Sequence, residues 1–262
     1  MNVFDEMGTY WAEIADKNKT EQQTQFLKKT LKTRGYVLDL ACGTGRHMIP
    51  LIKDGYNVVG LDVSRNLLRI TKKRYGKVQL VRGDMRFLPF KHETFTAAIS
   101  MDTSIGYLPT EQDDSQSLIE LRKTLSQNGV LIVDVFNREY LTSKYDGFKL
   151  PSKWALLPLL LKFPSQGVLC RLFKWKEYKS FWLLQKRTVT KGGEALRDLW
   201  VIYDKATNQR VVFEHSVRLY KLNQLQSLLE KAGFTVNKIY GDYEKQAFDA
   251  NSTRLIFLST AN

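Results

Sequence analysis

Short apolar runs alternate with amphipathic stretches through the first half of the chain. The apolar runs are rich in strand formers and end at turn residues; they cover 36–41, 57–62, 78–84, 95–102 and 130–136. Apolar residues at helical spacing fill the intervals, at 20–33, 46–55, 64–76 and 113–129. Strands that alternate with helices in this way predict βαβ units and a parallel sheet. The runs at 57–62 and 130–136 are almost entirely apolar, which is typical of a sheet covered by helices on both faces.

The pattern changes after residue 137. Polar and apolar residues alternate over 181–190, 195–204 and 210–220, with turn residues between them, which predicts an antiparallel meander. A helical pattern and two strand patterns, at 234–240 and 253–259, then end the chain. We therefore predict an α/β fold, a Rossmann-like doubly wound sheet of seven strands with an antiparallel β insertion after the fifth strand. Residues 1–137 and 221–262 form the core domain, and residues 138–220 form the insertion.

Composition excludes several classes of protein. The chain has 262 residues, 43% of them hydrophobic, so it can bury a sizeable core and is not predominantly disordered. It has no apolar run long enough for a transmembrane helix and no secretory signal pattern at its start. Two cysteines make no disulfide framework, and three scattered histidines make a metal centre unexpected. We expect a cytoplasmic protein without a metal.

A glycine-bearing turn at residues 42–45 separates the first strand from the next helix. Ligands of open α/β sheets bind at this edge, where glycine lets the backbone approach them closely. Gly43 and Gly45 fill two positions of the dinucleotide fingerprint, but Met48 occupies the third glycine position, which disfavours NAD or FAD. Asp39, beside the turn, would repel a pyrophosphate but would pair with an ammonium group.

Two further carboxylates end the next two strands. Asp62 ends the second strand, where an acid accepts hydrogen bonds from ribose hydroxyls. Asp84 ends the third, where it can accept from an adenine amino group while Met85 offers an apolar contact to the ring. The three acids together predict a ligand with an amino-acid end and a nucleoside end.

These motifs resemble those of the class I S-adenosylmethionine-dependent methyltransferases. The matching segments are VLDLACGTGR (37–46), VVGLDVS (58–64), VRGDMRFLPF (81–90), ISMDTSIGYL (99–108) and LSQNGVLIVDVFN (125–137). The branch that contains small-molecule and amino-sugar N-methyltransferases is the most similar. Ala41 stands where the first motif usually has glycine, and Asp102 where an apolar or aromatic residue is common.

The resemblance implies S-adenosylmethionine as the cofactor and an antiparallel last strand. It also implies that the aromatic segment around Tyr10 and Trp11 folds over the cofactor and the methyl acceptor; a hydrophobic staple for the following helix is the alternative. Arg46 is expected to reach the methionine carboxylate. The expected cofactor-binding residues are Tyr10, Asp39, Ala41, Gly43, Gly45, Arg46, Asp62, Val63, Asp84, Met85 and Met101.

Methyl transfer from a sulfonium is an in-line displacement that needs positioning and no metal. Asp102 and Tyr107 follow the fourth strand and, with Tyr10, are our candidates for contact with the acceptor. No single residue stands out as an indispensable base. We expect His47 to be a capping or surface residue, with a place in the active-site lining as the alternative. For His215 we prefer a satisfied structural role, with a catalytic base as the alternative.

The insertion carries much of the formal net charge of +13, because residues 144–191 contain eleven Lys and Arg and only two acids. Aromatic side chains are interleaved with these charged residues. The insertion could be a lid over an anionic or apolar acceptor, with an apolar face at Trp154, Leu157 and Leu160. It could instead bind RNA or an anionic membrane surface, or be a packed subdomain with solvated lysines. We therefore predict a methyltransferase for a small-molecule amine or hydroxyl. The alternatives are an RNA methyltransferase, a lipid methyltransferase and a non-enzymatic cofactor-binding module.

Overall fold

The computed structural model describes residues 3–16, 20–33, 35–145 and 173–262. The helices are α1 (Val3–Asp16), α2 (Thr20–Thr30), α3 (Met48–Lys53), α4 (Arg65–Tyr75), α5 (Glu111–Thr124), α6 (Arg138–Tyr145) and α7 (Leu222–Lys231). The strands of the first half are β1 (Tyr36–Leu40), β2 (Asn57–Asp62), β3 (Gln79–Arg82), β4 (Phe95–Ser100) and β5 (Leu125–Phe136). The later strands are β6 (Phe173–Glu177), β7 (Phe181–Val189), β8 (Ala195–Asp204), β9 (Arg210–Arg218), β10 (Phe234–Tyr240) and β11 (Arg254–Ala261). No helix in the described ranges is long and apolar enough to cross a membrane.

The main sheet has seven strands in the order β10-β11-β5-β4-β1-β2-β3. Strands β1 to β5 pair in parallel, and β11 runs antiparallel to both β5 and β10. Buried leucines of α5 and α7 pack on one face of the sheet. Apolar residues of α2, α3 and α4 pack on the other. The predicted doubly wound sheet and its antiparallel last strand are confirmed.

The insertion folds as a separate antiparallel sheet in the order β6-β7-β8-β9. The predicted meander is therefore confirmed, and the alternation of apolar residues had not revealed its first strand, β6. Helix α6, at the start of the insertion, was also not predicted. The proposed apolar face at Trp154, Leu157 and Leu160 lies outside the described residues.

Helix α5 ends earlier than its apolar spacing predicts. The pattern continued to Gly129, but the chain turns at Leu125, which pairs with Phe95 as the first residue of β5. A register shift follows, and Asn128 adopts a left-handed φ of 60° inside the bulge. The predicted helical residues 125–129 are thus extended, because pairing with β4 overrides the local helical pattern.

Helix α1 lies between the core and the insertion. It packs on α4, and its apolar face joins residues of β7, β8 and β9 in one buried cluster. The helix is interrupted at Gly8, whose φ of 43° and ψ of −111° suit glycine alone. This kinked helix brings aromatic side chains to the edge of the sheet where the glycine turn lies.

Candidate active site

The turn after β1 adopts left-handed backbone at three of its positions. The φ angles are 57° at Ala41, 53° at Gly43 and 74° at Gly45. A Cβ atom on Gly45 would come within 2.9 Å of the Thr71 side chain, so the glycine lets the turn approach α4 closely. The Thr71 hydroxyl also donates to the carbonyl of Gly43 at 2.9 Å.

Asp62 holds this turn in place. Its Oδ2 accepts from the Gly43 N–H and its Oδ1 from the Ser64 N–H, both at 2.8 Å. Ser64 then caps α4 by accepting from the Leu67 N–H. The buried carboxylate therefore joins the turn to the start of α4.

Asp39 is a buried acid with an unsatisfied oxygen. The residue is only 1% exposed, and its Oδ2 has no hydrogen-bond partner among the described residues. Burial raises the pKa of Asp39 to about 7, partly offset by the nearby Arg46 charge. A buried carboxylate oxygen without a donor is costly to keep. The site therefore offers an acceptor to a cationic or hydrogen-bonding group of a ligand.

A cavity opens above the turn, and we call it the first cavity. It lies between the carboxyl ends of β1, β2 and β4 and helix α1, which contributes Phe4 and Trp11. All the predicted cofactor residues line it except Tyr10 and Gly45. Gly45 lies behind the turn against α4 and α3. The acids at the ends of three successive strands thus meet in one cavity.

Tyr10 points away from the first cavity. Its hydroxyl donates to Asp204 of the insertion at 2.8 Å, and its ring contacts Phe181 edge-on. Burial and the Asp204 carboxylate raise the pKa of Tyr10 to about 12. This placement corrects the expected position of Tyr10: the same helix reaches the cavity with Phe4 and Trp11 instead.

Two charged residues of the first cavity already have ion-pair partners. Arg46 donates to Asp102 at 2.8 Å and also contacts Gln23. Arg86 donates to Asp84 at 2.7 Å, and its hydrogen bonds hold the pKa of that carboxyl below its ordinary value. Asp84 therefore remains an ionised acceptor, and Arg46 is tied to Asp102 rather than extended freely into the cavity.

A second cavity lies between the inner face of the insertion sheet and the edge of the core. Its walls include residues of α6, β6, β7, β8 and β9. Trp11, Asp102 and Tyr107 line both cavities, so they mark the junction between them. Two of these three residues are the acceptor contacts that the sequence predicted.

The backbone is strained at this junction. Asp102 and Thr103 have left-handed φ angles of 57° and 69°. Their N–H groups are held by the Asp134 side chain and carbonyl at 2.9 and 2.8 Å. Asp134 is itself buried and pairs with Arg254 at 2.7 Å. A buried ion pair thus fixes a conformation that costs about 1–3 kcal/mol per residue, as is common at functional sites.

Residues 37–129 match the family model described as a methyltransferase domain. These residues form a methyltransferase domain. Over its whole length the chain superposes on a S-adenosylmethionine-dependent methyltransferase from Clostridium acetobutylicum, with a TM-score of 0.75, 15% identity and full coverage of both chains.

Two relatives are more similar in sequence over shorter spans. A glycine/sarcosine N-methyltransferase from Parasynechococcus marenigrum is 37% identical over 50% of this chain and 49% of its own length. The dTDP-3-amino-3,4,6-trideoxy-alpha-D-glucopyranose N,N-dimethyltransferase of Streptomyces venezuelae is 34% identical over 37% of this chain and 41% of its own length. Each of these two matches spans less than half of the relative.

The site contains one buried and one half-buried histidine, His47 and His215, in roles other than the preferred ones. His47 is 5% exposed, its Nε2 lies 3.0 Å from Gln23 Oε1, and it lines the first cavity. It makes no side-chain cap on α3, so the expected capping or surface role is wrong. The signal that could have found it is its place two residues after the glycine turn.

His215 faces the second cavity from β9. Its Nδ1 lies 3.3 Å from the Tyr107 hydroxyl, and its Nε2 is buried with no partner among the described residues. Burial lowers the pKa of His215, so the imidazole is neutral at physiological pH. It is not the satisfied structural histidine that its strand position suggested.

Cys42 lies under the turn as a small buried residue. Burial raises the pKa of its thiol, which leaves it unreactive. Among the described ranges, no group of three His, Cys, Asp or Glu side chains is arranged to hold a metal ion.

Proposed function

We propose that this methyltransferase transfers the methyl group of S-adenosylmethionine, bound in the first cavity, to an amino nitrogen of a small molecule bound in the second. The observation that carries the proposal is the junction, where Trp11, Asp102 and Tyr107 line both cavities. An in-line displacement needs donor and acceptor on either side of one such point.

The residues of the first cavity fit the cofactor from end to end. The partnerless oxygen of Asp39 suits its ammonium group, and Asp62 suits the ribose hydroxyls. Asp84 and Met85 suit the adenine, while Ala41, Gly43 and Val63 bring backbone close to the ligand. Bound there, the sulfonium supplies an activated methyl group, so the protein's own contribution is orientation and proton removal.

An amine acceptor must lose a proton before its nitrogen can be methylated. His215 is neutral, faces the second cavity and has a free Nε2 lone pair in the tautomer whose Nδ1–H donates to Tyr107. We assign proton acceptance to Nε2 and orientation of the imidazole to Tyr107. Asp102, held by Arg46, is placed to accept a hydrogen bond from the acceptor.

The similar proteins support an amine. Those with a named acceptor methylate the nitrogen of glycine or sarcosine, or of an amino sugar. They give no support to an RNA or a lipid acceptor. Because three side chains line both cavities, the arrangement also favours an enzyme over a module that only binds cofactor.

The test is transfer of a labelled methyl group to cell extract separated into small-metabolite, protein, RNA and lipid fractions. We expect label in the small-metabolite fraction, in compounds that carry an amino group. Tyr107→Phe should lower this transfer, and Tyr75→Phe, at the exposed end of α4, should not. Label confined to RNA or lipid would contradict the proposal.

A further inference from the structure

The inner face of the insertion sheet presents polar side chains in rows. Lys174, Gln185 and Trp200 are direct cross-strand partners on β6, β7 and β8, and all three line the second cavity. Arg187, Asp198 and His215 form the neighbouring row across β7, β8 and β9. A sheet face that packed only against protein would be apolar, so these rows point to a polar occupant.

Cations outnumber acids around this cavity. Lys144, Lys174, Lys176, Arg187 and Arg254 line it, against the acids Asp102 and Asp198. Asp198 is paired with Arg187 at 2.8 Å, and Asp102 with Arg46. Lys174 and Lys176 have no acid within ion-pair distance in the described part of the chain. Two residues apart on one strand, they project to the same face.

The cations also act on one another. Burial lowers the pKa of Lys176, and the charges of Arg187 and Lys174 lower it further. By sequence, residues 146–172 hold four Lys and Arg and a single acid. Arg187 and Arg254 have acid partners, whereas Lys174 and Lys176 have none among the described residues, so these two lysines offer the charge that binds an oxyanion.

A separate observation comes from Trp200. The residue is 4% exposed, lines the second cavity, and its Nε1–H has no acceptor among the described residues. Indole N–H groups almost always find an acceptor when buried. A ligand oxygen would supply it, in the row that begins at Lys174.

We propose that the methyl acceptor carries an oxyanion, a phosphate-type or carboxylate group, which Lys174, Lys176 and the Trp200 N–H bind in the second cavity. This proposal rests on the proposed function and names its substrate class. The Trp200 ring lies 5.3 Å from the His215 ring, so the anion site extends from the lysines of β6 to the side of the imidazole. The acceptor is therefore an amine that also carries an anionic group.

The proposal is tested by equilibrium binding of pyrophosphate and of malonate to the full chain with S-adenosylmethionine present. We expect one of them to bind at low salt, and to bind at least tenfold more weakly to the Lys174→Gln, Lys176→Gln double variant. The matched Lys174→Arg, Lys176→Arg variant should restore binding. Lys186→Gln, on the same strand as Arg187 but outside the cavity lining, should not change it. Trp200→Phe should weaken it severalfold.

Pyrophosphate binding alone indicates a phosphate-type group and malonate binding alone a carboxylate. Cofactor affinity, measured in the same samples, reports on the fold and on the first cavity. A protein that fails to bind S-adenosylmethionine would contradict the proposed function, whereas loss of anion binding alone would contradict only the anion site. Equal binding to wild type and the double glutamine variant would overturn the proposal, as would absence of binding by both anions. A short RNA that binds more tightly than pyrophosphate through the same lysines would also overturn it.

Discussion

At the scale of single residues, Ala41 carries avoidable strain. A non-glycine residue in left-handed backbone costs about 1–2 kcal/mol, and Ala41 has a φ of 57°. Ala41→Gly should raise the free energy of unfolding by about 0.5–1 kcal/mol, because relief of strain exceeds the added entropy of the unfolded chain. Chemical denaturation measures this. Ala98→Gly, in buried and ordinary strand backbone, is the control and should instead destabilise by about 1 kcal/mol.

Asp39 should make cofactor binding depend on pH. Its folded-state pKa of about 7 lies above its ordinary value of 3.8, so the cofactor-free protein loses stability as pH rises from about 4 to 7. A cationic ligand prefers the ionised carboxyl, so affinity should increase up to pH 7, by at most about tenfold per pH unit, and then level off.

Calorimetry in buffers of different ionisation enthalpy would detect the proton released when cofactor binds below pH 7. Asp39→Asn should weaken binding and abolish this release. Asp54→Asn, a surface carboxylate paired with Lys28, is the control and should retain both. Proton release that persisted in Asp39→Asn would assign the titration to another group.

Protonation of His215 should set the acid limb of the pH profile of kcat. Tyr107, Asp198 and Arg187 face the imidazole. Burial lowers the pKa of His215 and is the largest effect; the Asp198 charge raises that pKa and the Arg187 charge lowers it. Protonation, at a pH below the ordinary imidazole pKa, would remove the base, so kcat should fall there. His215→Asn should lower kcat by about 100-fold and remove this limb while KM for cofactor is kept. His92→Asn, in an exposed loop, should leave the profile unchanged, and an unaltered acid limb in His215→Asn would refute the assignment.

At the scale of elements, α1 depends on its kink. Gly8 has backbone angles that other residues adopt at a cost of about 1–3 kcal/mol, although a Cβ there would meet no atom. Gly8→Ala should therefore displace the helix and its Phe4 and Trp11 side chains, and weaken cofactor binding severalfold. Titration of cofactor and proteolysis of the first 20 residues measure this. Glu6→Ala, an exposed position of the same helix, should behave as wild type.

The sequence predicted those elements whose local pattern and tertiary setting agree. β1, β2 and β4 are short, apolar and bounded by turns, and the strands β7 to β9 alternate visibly. The end of α5 could not be predicted, because Leu125 continues the helical spacing and only pairing with Phe95 makes it a strand. The strand β6 was obscured by its composition: FKWKE alternates lysines with aromatic residues, which by sequence alone suits a surface equally well.

The functional site likewise has residues that the sequence predicted and residues that it did not. The acids at strand ends were predictable, since topology alone brings the ends of β1, β2 and β3 to one edge. The choice between Tyr10 and Trp11 was not, because it depends on the rotation of a kinked helix against the insertion. His215 was missed for the same reason: its partner Tyr107 is 108 residues away in sequence.

At the scale of the whole molecule, core and insertion meet at Asp114. This fully buried acid in the first turn of α5 accepts from the Gly106 N–H at 3.0 Å, from the Tyr220 hydroxyl at 2.6 Å and from Arg218. Arg218 ends β9, and its N–H donates to the Gly106 carbonyl at 2.9 Å. The loop that carries Tyr107 is thereby tied to the strand that carries His215.

Replacing Asp114 should therefore uncouple the two halves of the second cavity. Asp114→Asn leaves Arg218 without its counter-charge and should lower the free energy of unfolding by about 3 kcal/mol. Because the Tyr107–His215 contact depends on the same loop, kcat should fall while cofactor affinity stays near that of wild type, and the amides of β9 should exchange hydrogen faster. Asp113→Asn, the half-buried neighbour that caps α5 with Thr110, should cost about 1 kcal/mol and leave β9 protected. Equal effects of the two substitutions on β9 would show that the insertion is held in place by its other contacts with α1 and α6, and not through this carboxylate.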